Sequence, residues 1–236
     1  MLKKREVSPF KGDLEGCFWK FLFNKKNRSR LCIKTFTLNN MKKLFLYIAL
    51  FLPCLLTNAA ASTLDSFLQT LSDHTLHSDF VITISEGASQ PMNYPGTITM
   101  RGDRFTLEMF DMEAAYDGKT LYVYSATTDE LTLSTPTEQE LMEANPFLYA
   151  QALSKVCTIS EQSTTTNITI TLTPNDQTAG IQRFTLRIQK DTMLPQSIEI
   201  KEGKQLTTLR LTNPTYTTNI PSFILTKPDA FLNDLR

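Results

Sequence analysis

The side chains with reactive potential in this sequence stand apart from one another. His74 and His77 could each serve as a general base or a metal ligand. Asp73 and Asp79 flank them, but no cysteine or further carboxylate joins them at a ligand spacing. Of the four cysteines, Cys17, Cys32 and Cys54 lie early in the chain and only Cys157 lies downstream. A lone cysteine cannot form an internal disulfide. Cys157, in a strand-like stretch with Val156 and Ile159, reads as a small buried apolar residue. Asp103 and Asp117 adjoin Gly102 and Gly118 and read as turn residues. The chain has no H-E-x-x-H, C-x-x-C or G-x-S-x-G motif and no glycine-rich phosphate loop. The expectation is a protein that is not an enzyme and that uses no metal or cofactor.

Charge divides the chain in two. Residues 1–61 hold 12 of its 24 Lys and Arg but only 3 of its 24 Asp and Glu, so residues 62–236 carry 12 cations against 21 acids. An acidic body argues against a nucleic-acid partner, whose phosphates need a basic face. Lys42 and Lys43 precede the apolar run Leu44 to Leu56, and Ala59-x-Ala61 follows. This is the order of a secretory signal, with cleavage expected near Ala61–Ser62. The run is too short for a membrane span, which needs about 20 residues. Pro53 before Cys54 argues against a lipid anchor at that cysteine. Residues 1–40 read most simply as an upstream extension before a start at Met41, or else as a cytoplasmic extension of a long signal. The domain to be explained is therefore 62–236, in the periplasm.

In that body, Leu64, Phe67, Leu68 and Leu71 follow helical spacing, which predicts a helix over 63–75 capped by Ser62 or Thr63. The period then becomes two. Phe80, Ile82 and Ile84 share one strand face, as do Ile98 with Met100, and Phe105, Leu107 and Met109 together. Runs at 112–116, 121–124 and 130–133 extend the meander. Ser134 to Glu138 reads as a helix start with Pro136 in its first turn, and Asn145-Pro146 separates a second short helix. Strands resume at 155–161 and continue to a last short one around Phe223 and Leu225. Ten or eleven strands without βαβ spacing predict one antiparallel sheet. A sheet of that size curls, and three short helices can cover its apolar face only partly. Such a shape can enclose an apolar cavity or a packed core; the alternation fits both.

A set of motifs along this body resembles the LolA family of periplasmic lipoprotein carriers. The strongest is Tyr116-Asp117-Gly118-Lys119-Thr120-Leu121-Tyr122-Val123-Tyr124. Phe80, Gly96, Arg101 and Arg104-Phe105 precede it; Asn145-Pro146-Phe147, Leu172-Thr173-Pro174, Phe184-Thr185-Leu186 and Leu194-Pro195 follow in order. The resemblance implies an α+β, mainly β fold: an unclosed β-barrel lidded by helices, whose apolar interior holds acyl chains. It implies a monomer that takes acylated lipoproteins from an inner-membrane ABC transporter to an outer-membrane acceptor. The expected lining is Ile98, Met100, Phe105, Leu107 and Met109, with Phe147 and Leu148 on the lid. Tyr122 and Tyr124 are included, although either they or Leu121 and Val123 could face inward. Arg101, or failing it Arg104, corresponds to an arginine that ties lid to barrel. Two other functions stay open: a periplasmic sensor of lipid or lipoprotein, and a carrier of another amphiphile.

Overall fold

In the computed structural model, residues 62–176 and 180–236 are described; the signal segment expected at 41–61 lies outside them. The first element is α1 (Thr63–Asp73). Ser62 caps it, and Asp65 returns a bond to the cap backbone, forming a capping box. Leu64, Phe67 and Leu71 form its buried stripe. His74 takes an extended conformation and ends the helix.

Among the described residues, twelve strands follow in one sheet. They are β1 (Thr75–Glu86), β2 (Met92–Arg101), β3 (Arg104–Met109), β4 (Met112–Tyr116), β5 (Leu121–Ser125) and β6 (Glu130–Ser134). After α2 (Glu138–Ala144) and α3 (Pro146–Ser154) come β7 (Cys157–Ser163), β8 (Asn167–Pro174), β9 (Ile181–Gln189), β10 (Pro195–Glu202), β11 (Gln205–Thr217) and β12 (Phe231–Asp234). The order across the sheet is β12-β6-β5-β4-β3-β2-β1-β11-β10-β9-β8-β7. The sheet curves but does not close, since β12 and β7 remain its two edges. Two runs of hairpins, β1–β6 and β7–β11, therefore meet along β1 and β11.

The C-terminal segment departs from the sequence expectation. No strand forms around Phe223 and Leu225; the last strand is β12, and it runs parallel to β6. Pro221 and Pro228 remove backbone donors on either side of the expected strand, which disfavours a ladder there. The segment instead lies as a strap against β4–β6. Leu225 and Ala230 pack on Ala115, Tyr122, Leu131 and Leu133. Lys227 pairs with Glu113 at 2.5 Å, and its ammonium sits 4.5 Å from the centre of the Tyr124 ring.

The first of the middle helices begins later than expected. Pro136 precedes α2, because Thr137 is its cap and forms a capping box with Glu140. Asn145 ends α2 and caps α3. Among the described residues, no helix is long and apolar enough to cross a membrane.

Candidate functional site

Strand alternation sorts the sheet into two faces, and the inner one is largely apolar, with Ser78 and Thr207 among its buried polar members. On the first hairpin run, Phe80, Ile98, Met100, Phe105, Met109 and Leu121 belong to one buried cluster, with Leu107 and Val123 partly buried against it. On the second run, Ile170, Leu172, Phe184, Leu186, Ile188 and Ile198 join the same cluster. The helices complete it with Leu64, Phe67 and Leu71 from α1 and Phe147, Ala150 and Leu153 from α3. Phe67 and Phe147 meet with ring centroids 5.4 Å apart, so the first helix and the lid touch over this face.

The expected residues Ile98, Met100, Phe105, Leu107 and Met109 are thus brought together on the inner face, with Phe147 above them. Tyr122 and Tyr124 are not. They lie on the outer face, where Tyr122 belongs to the strap cluster and Tyr124 packs beside it. The Tyr122 hydroxyl donates to Asp117 at 3.0 Å and that of Tyr124 donates to Asp129 at 3.0 Å. An inward phenol would forgo that partner in an apolar setting, whereas Leu121 and Val123 lose nothing there. Leu148 is half-buried and outside the cluster. Its neighbour Tyr149 takes the inward place and meets Phe184 edge-on at 6.2 Å.

Tyr149 and the inner residues of β8–β10 were missing from the sequence-based site. Their alternation was visible, but the motifs that drew attention to a face lie in the first hairpin run. Arg101 alternates with Met100 to the outer side and donates to the carbonyl oxygen of Thr218, at 3.4 Å, just beyond β11. Its hydrogen bond therefore braces the start of the strap rather than a lid helix. Arg104 runs past Gly118 in the Asp117 turn.

The polar residues near this face are structural. Burial raises the Asp117 carboxyl, but the backbone N–H groups of Thr120 and Lys119 and the Tyr122 hydroxyl outweigh it and hold the carboxyl below its ordinary value. Gly118, at φ +99°, completes this turn. His77 Nδ1 lies 2.9 Å from the Thr99 hydroxyl on the outer face, and the His74 ring rests against Tyr216. Cys157 is buried, as expected, and burial pushes its thiol up, away from the reactive thiolate. Burial, with the Glu202 charge next, pushes the Tyr149 hydroxyl up to about 12. Each of these groups is engaged in packing or turn geometry. What the face can do is hold apolar matter, at roughly 0.8 kcal/mol for each methylene removed from water.

A family model described as outer membrane lipoprotein carrier protein LolA matches residues 78–204, from β1 to the end of β10. No curated protein matches the chain. Among solved structures, an uncharacterized conserved protein from Thermus thermophilus aligns with 12% identity and a TM-score of 0.50, covering 72% of this chain and 96% of that one. A LolA superfamily protein from Nitrosomonas europaea aligns with 11% identity and a TM-score of 0.38 over 71% of this chain and 99% of that one. The Pseudomonas aeruginosa MucA/MucB complex aligns with 17% identity and a TM-score of 0.44, over 67% of this chain and 57% of that one. At 12% identity the Thermus likeness speaks to the fold alone.

Proposed function

Because the chain belongs to the outer membrane lipoprotein carrier protein LolA family, we propose that it ferries acylated lipoproteins across the periplasm with their acyl chains held on the inner face of the sheet. One observation carries this reading: a single, largely apolar face runs from β5 to β8, and the short helices of the described residues cover it chiefly with apolar side chains. Acyl chains can replace such contacts at little cost, because one apolar surface is exchanged for another. Cargo would take the place of Phe147 and Leu153, against Phe67, with α2 and α3 swinging away about their connections at 135–137 and 155–156. An inner-membrane lipoprotein-releasing ABC transporter would load the carrier, and an outer-membrane acceptor would unload it. The signal at 41–61, cleaved near Ser62, delivers the chain to that compartment. Binding and release need no cofactor and no covalent step.

Native mass spectrometry of protein gently purified from periplasm tests this. The expected species begins at Ser62 and carries a triacylated lipoprotein. A bound free lipid or pigment would replace the lipoprotein by another amphiphile. A mass that retains residues 41–61 would refute export by cleavage. Leu107→Asp tests the face itself, since it places a charge among acyl chains. The variant should fold, by circular dichroism, and lose cargo; retained cargo would remove Leu107 from the site.

A further inference from the structure

The outer face of the second hairpin run carries charge that the carrier reading does not use. On β9, Phe184, Leu186 and Ile188 point into the core, so Arg183, Thr185 and Arg187 point out. The same alternation turns Ser197, Glu199 and Lys201 outward on β10, and Thr208 and Arg210 outward on β11. Register then sets these side chains in rows. Arg183 stands directly opposite Lys201. Arg187 and Arg210 stand on either side of Ser197. Arg183, Arg187 and Arg210 are exposed. Glu199 lies among the four cations, yet among the described residues none of the five is in an ion pair.

Like charges directly opposite on a sheet repel. The acidic body makes the arrangement more pointed. Six of its 12 cations fall between residues 183 and 210, against three acids, Asp191, Glu199 and Glu202. The remainder of the body is correspondingly more acidic. The face is also rich in threonine and serine and has no large exposed apolar side chain: those are Met92, Phe110, Val156, Ile159 and residues from Ile220 onward, all outside β8–β11. Protein interfaces centre on apolar and aromatic anchors. Phosphate-bearing surfaces need none, and guanidinium groups bind phosphate in two-pronged fashion.

We propose that the outer face of β9–β11 docks, peripherally and reversibly, on the anionic phospholipid surface of a membrane. The cations offset the repulsion that a body rich in acids would meet there and fix which side of the molecule faces the lipid. This proposal does not depend on what the inner face holds.

The test is co-sedimentation of the exported chain, purified from periplasm, with vesicles of phosphatidylglycerol and phosphatidylcholine or of phosphatidylcholine alone. The wild type should sediment with the anionic vesicles only and should be released between about 0.05 and 0.3 M salt. Arg187→Ser combined with Arg210→Ser should weaken sedimentation at least tenfold, on the order of a few-fold per cation. Lys119→Ser combined with Lys155→Ser removes the same charge from elsewhere and should leave binding within about twofold. Equal losses in both pairs, or none in either, would overturn a role for this face. A wild type indifferent to both vesicle types would overturn the membrane as partner. Retention of that same wild type on immobilised polyglutamate, lost in the arginine pair, would then assign the face to an acidic protein instead.

Discussion

Gly96 shows how closely the strands of the first hairpin run approach one another. A Cβ there would lie 2.5 Å from the backbone oxygen of Glu108 and 2.5 Å from Cζ of Phe80. The backbone oxygen cannot move without straining the β2–β3 ladder. Gly96→Ala should therefore lower stability by about 1–3 kcal/mol in urea unfolding, and an unchanged midpoint would show that the ladder yields. At this scale the turn residues were plain in the sequence, because Asp117-Gly118 has few other uses. The orientation of Tyr122 was not. Leu121 to Tyr124 has no charged or small polar member to mark the outward side, and tyrosine fits either face until its hydroxyl finds a partner. Only the fold supplies Asp117 and Asp129 as those partners.

Among the elements, the α2–α3 hinge is the most exacting. The Asn145 side chain is buried, and its Oδ1 accepts from the N–H groups of Phe147 and Leu148 at 3.0 and 3.3 Å. Its amide nitrogen is buried with no hydrogen-bond partner. Asn145→Ala thus removes a cap and an unsatisfied donor together. Its cost should fall toward the lower end of the usual range of about 0.5–2 kcal/mol, read as a small fall in Tm. A cost well above that would mean the asparagine holds more than the helix start. The break at Asn145-Pro146 was legible because proline after a capping residue is a strong local signal. The strand β12 was not, because Phe231 and Leu232 are both exposed and show no alternation, and its pairing with β6 is set by the path of the strap.

At the level of the whole molecule, the shared core links stability to alkaline pH. Tyr149 is neutral when folded up to about 12, whereas in an unfolded chain it ionises near 10. Burial raises the Tyr216 hydroxyl in the same direction, and that hydroxyl donates to the carbonyl oxygen of Met193 at 2.9 Å. Between these limits the unfolded chain binds fewer protons than the folded one, so stability falls as pH rises. The contribution of Tyr149 is intact below pH 10 and is lost from about 10 to 12, at roughly 1.4 kcal/mol per pH unit. Tyr149→Phe should make the alkaline decline in urea stability shallower; an unchanged slope would show that Tyr149 does not titrate in this range. The sheet as a whole was readable from period-two alternation. Its curling followed from its size, but its edges were not readable, because they depend on pairings between residues far apart in the chain.

The meeting of β1 with β11 has a kinetic meaning. Every other antiparallel neighbour is adjacent in sequence, so each hairpin run can assemble through short loops. Apart from the short β6–β12 pair, the seam from Thr75↔Thr217 to Glu86↔Gln205 alone must gather ends separated by most of the domain. The entropy of closing so long a loop is lost before the seam returns any contact energy. Folding should therefore wait on this joint. Stopped-flow refolding of Leu209→Ala, on the seam, should slow markedly, whereas Ile170→Val, within β8, should chiefly hasten unfolding. The reverse pattern would place nucleation inside the second run of hairpins, with the seam zipped afterward.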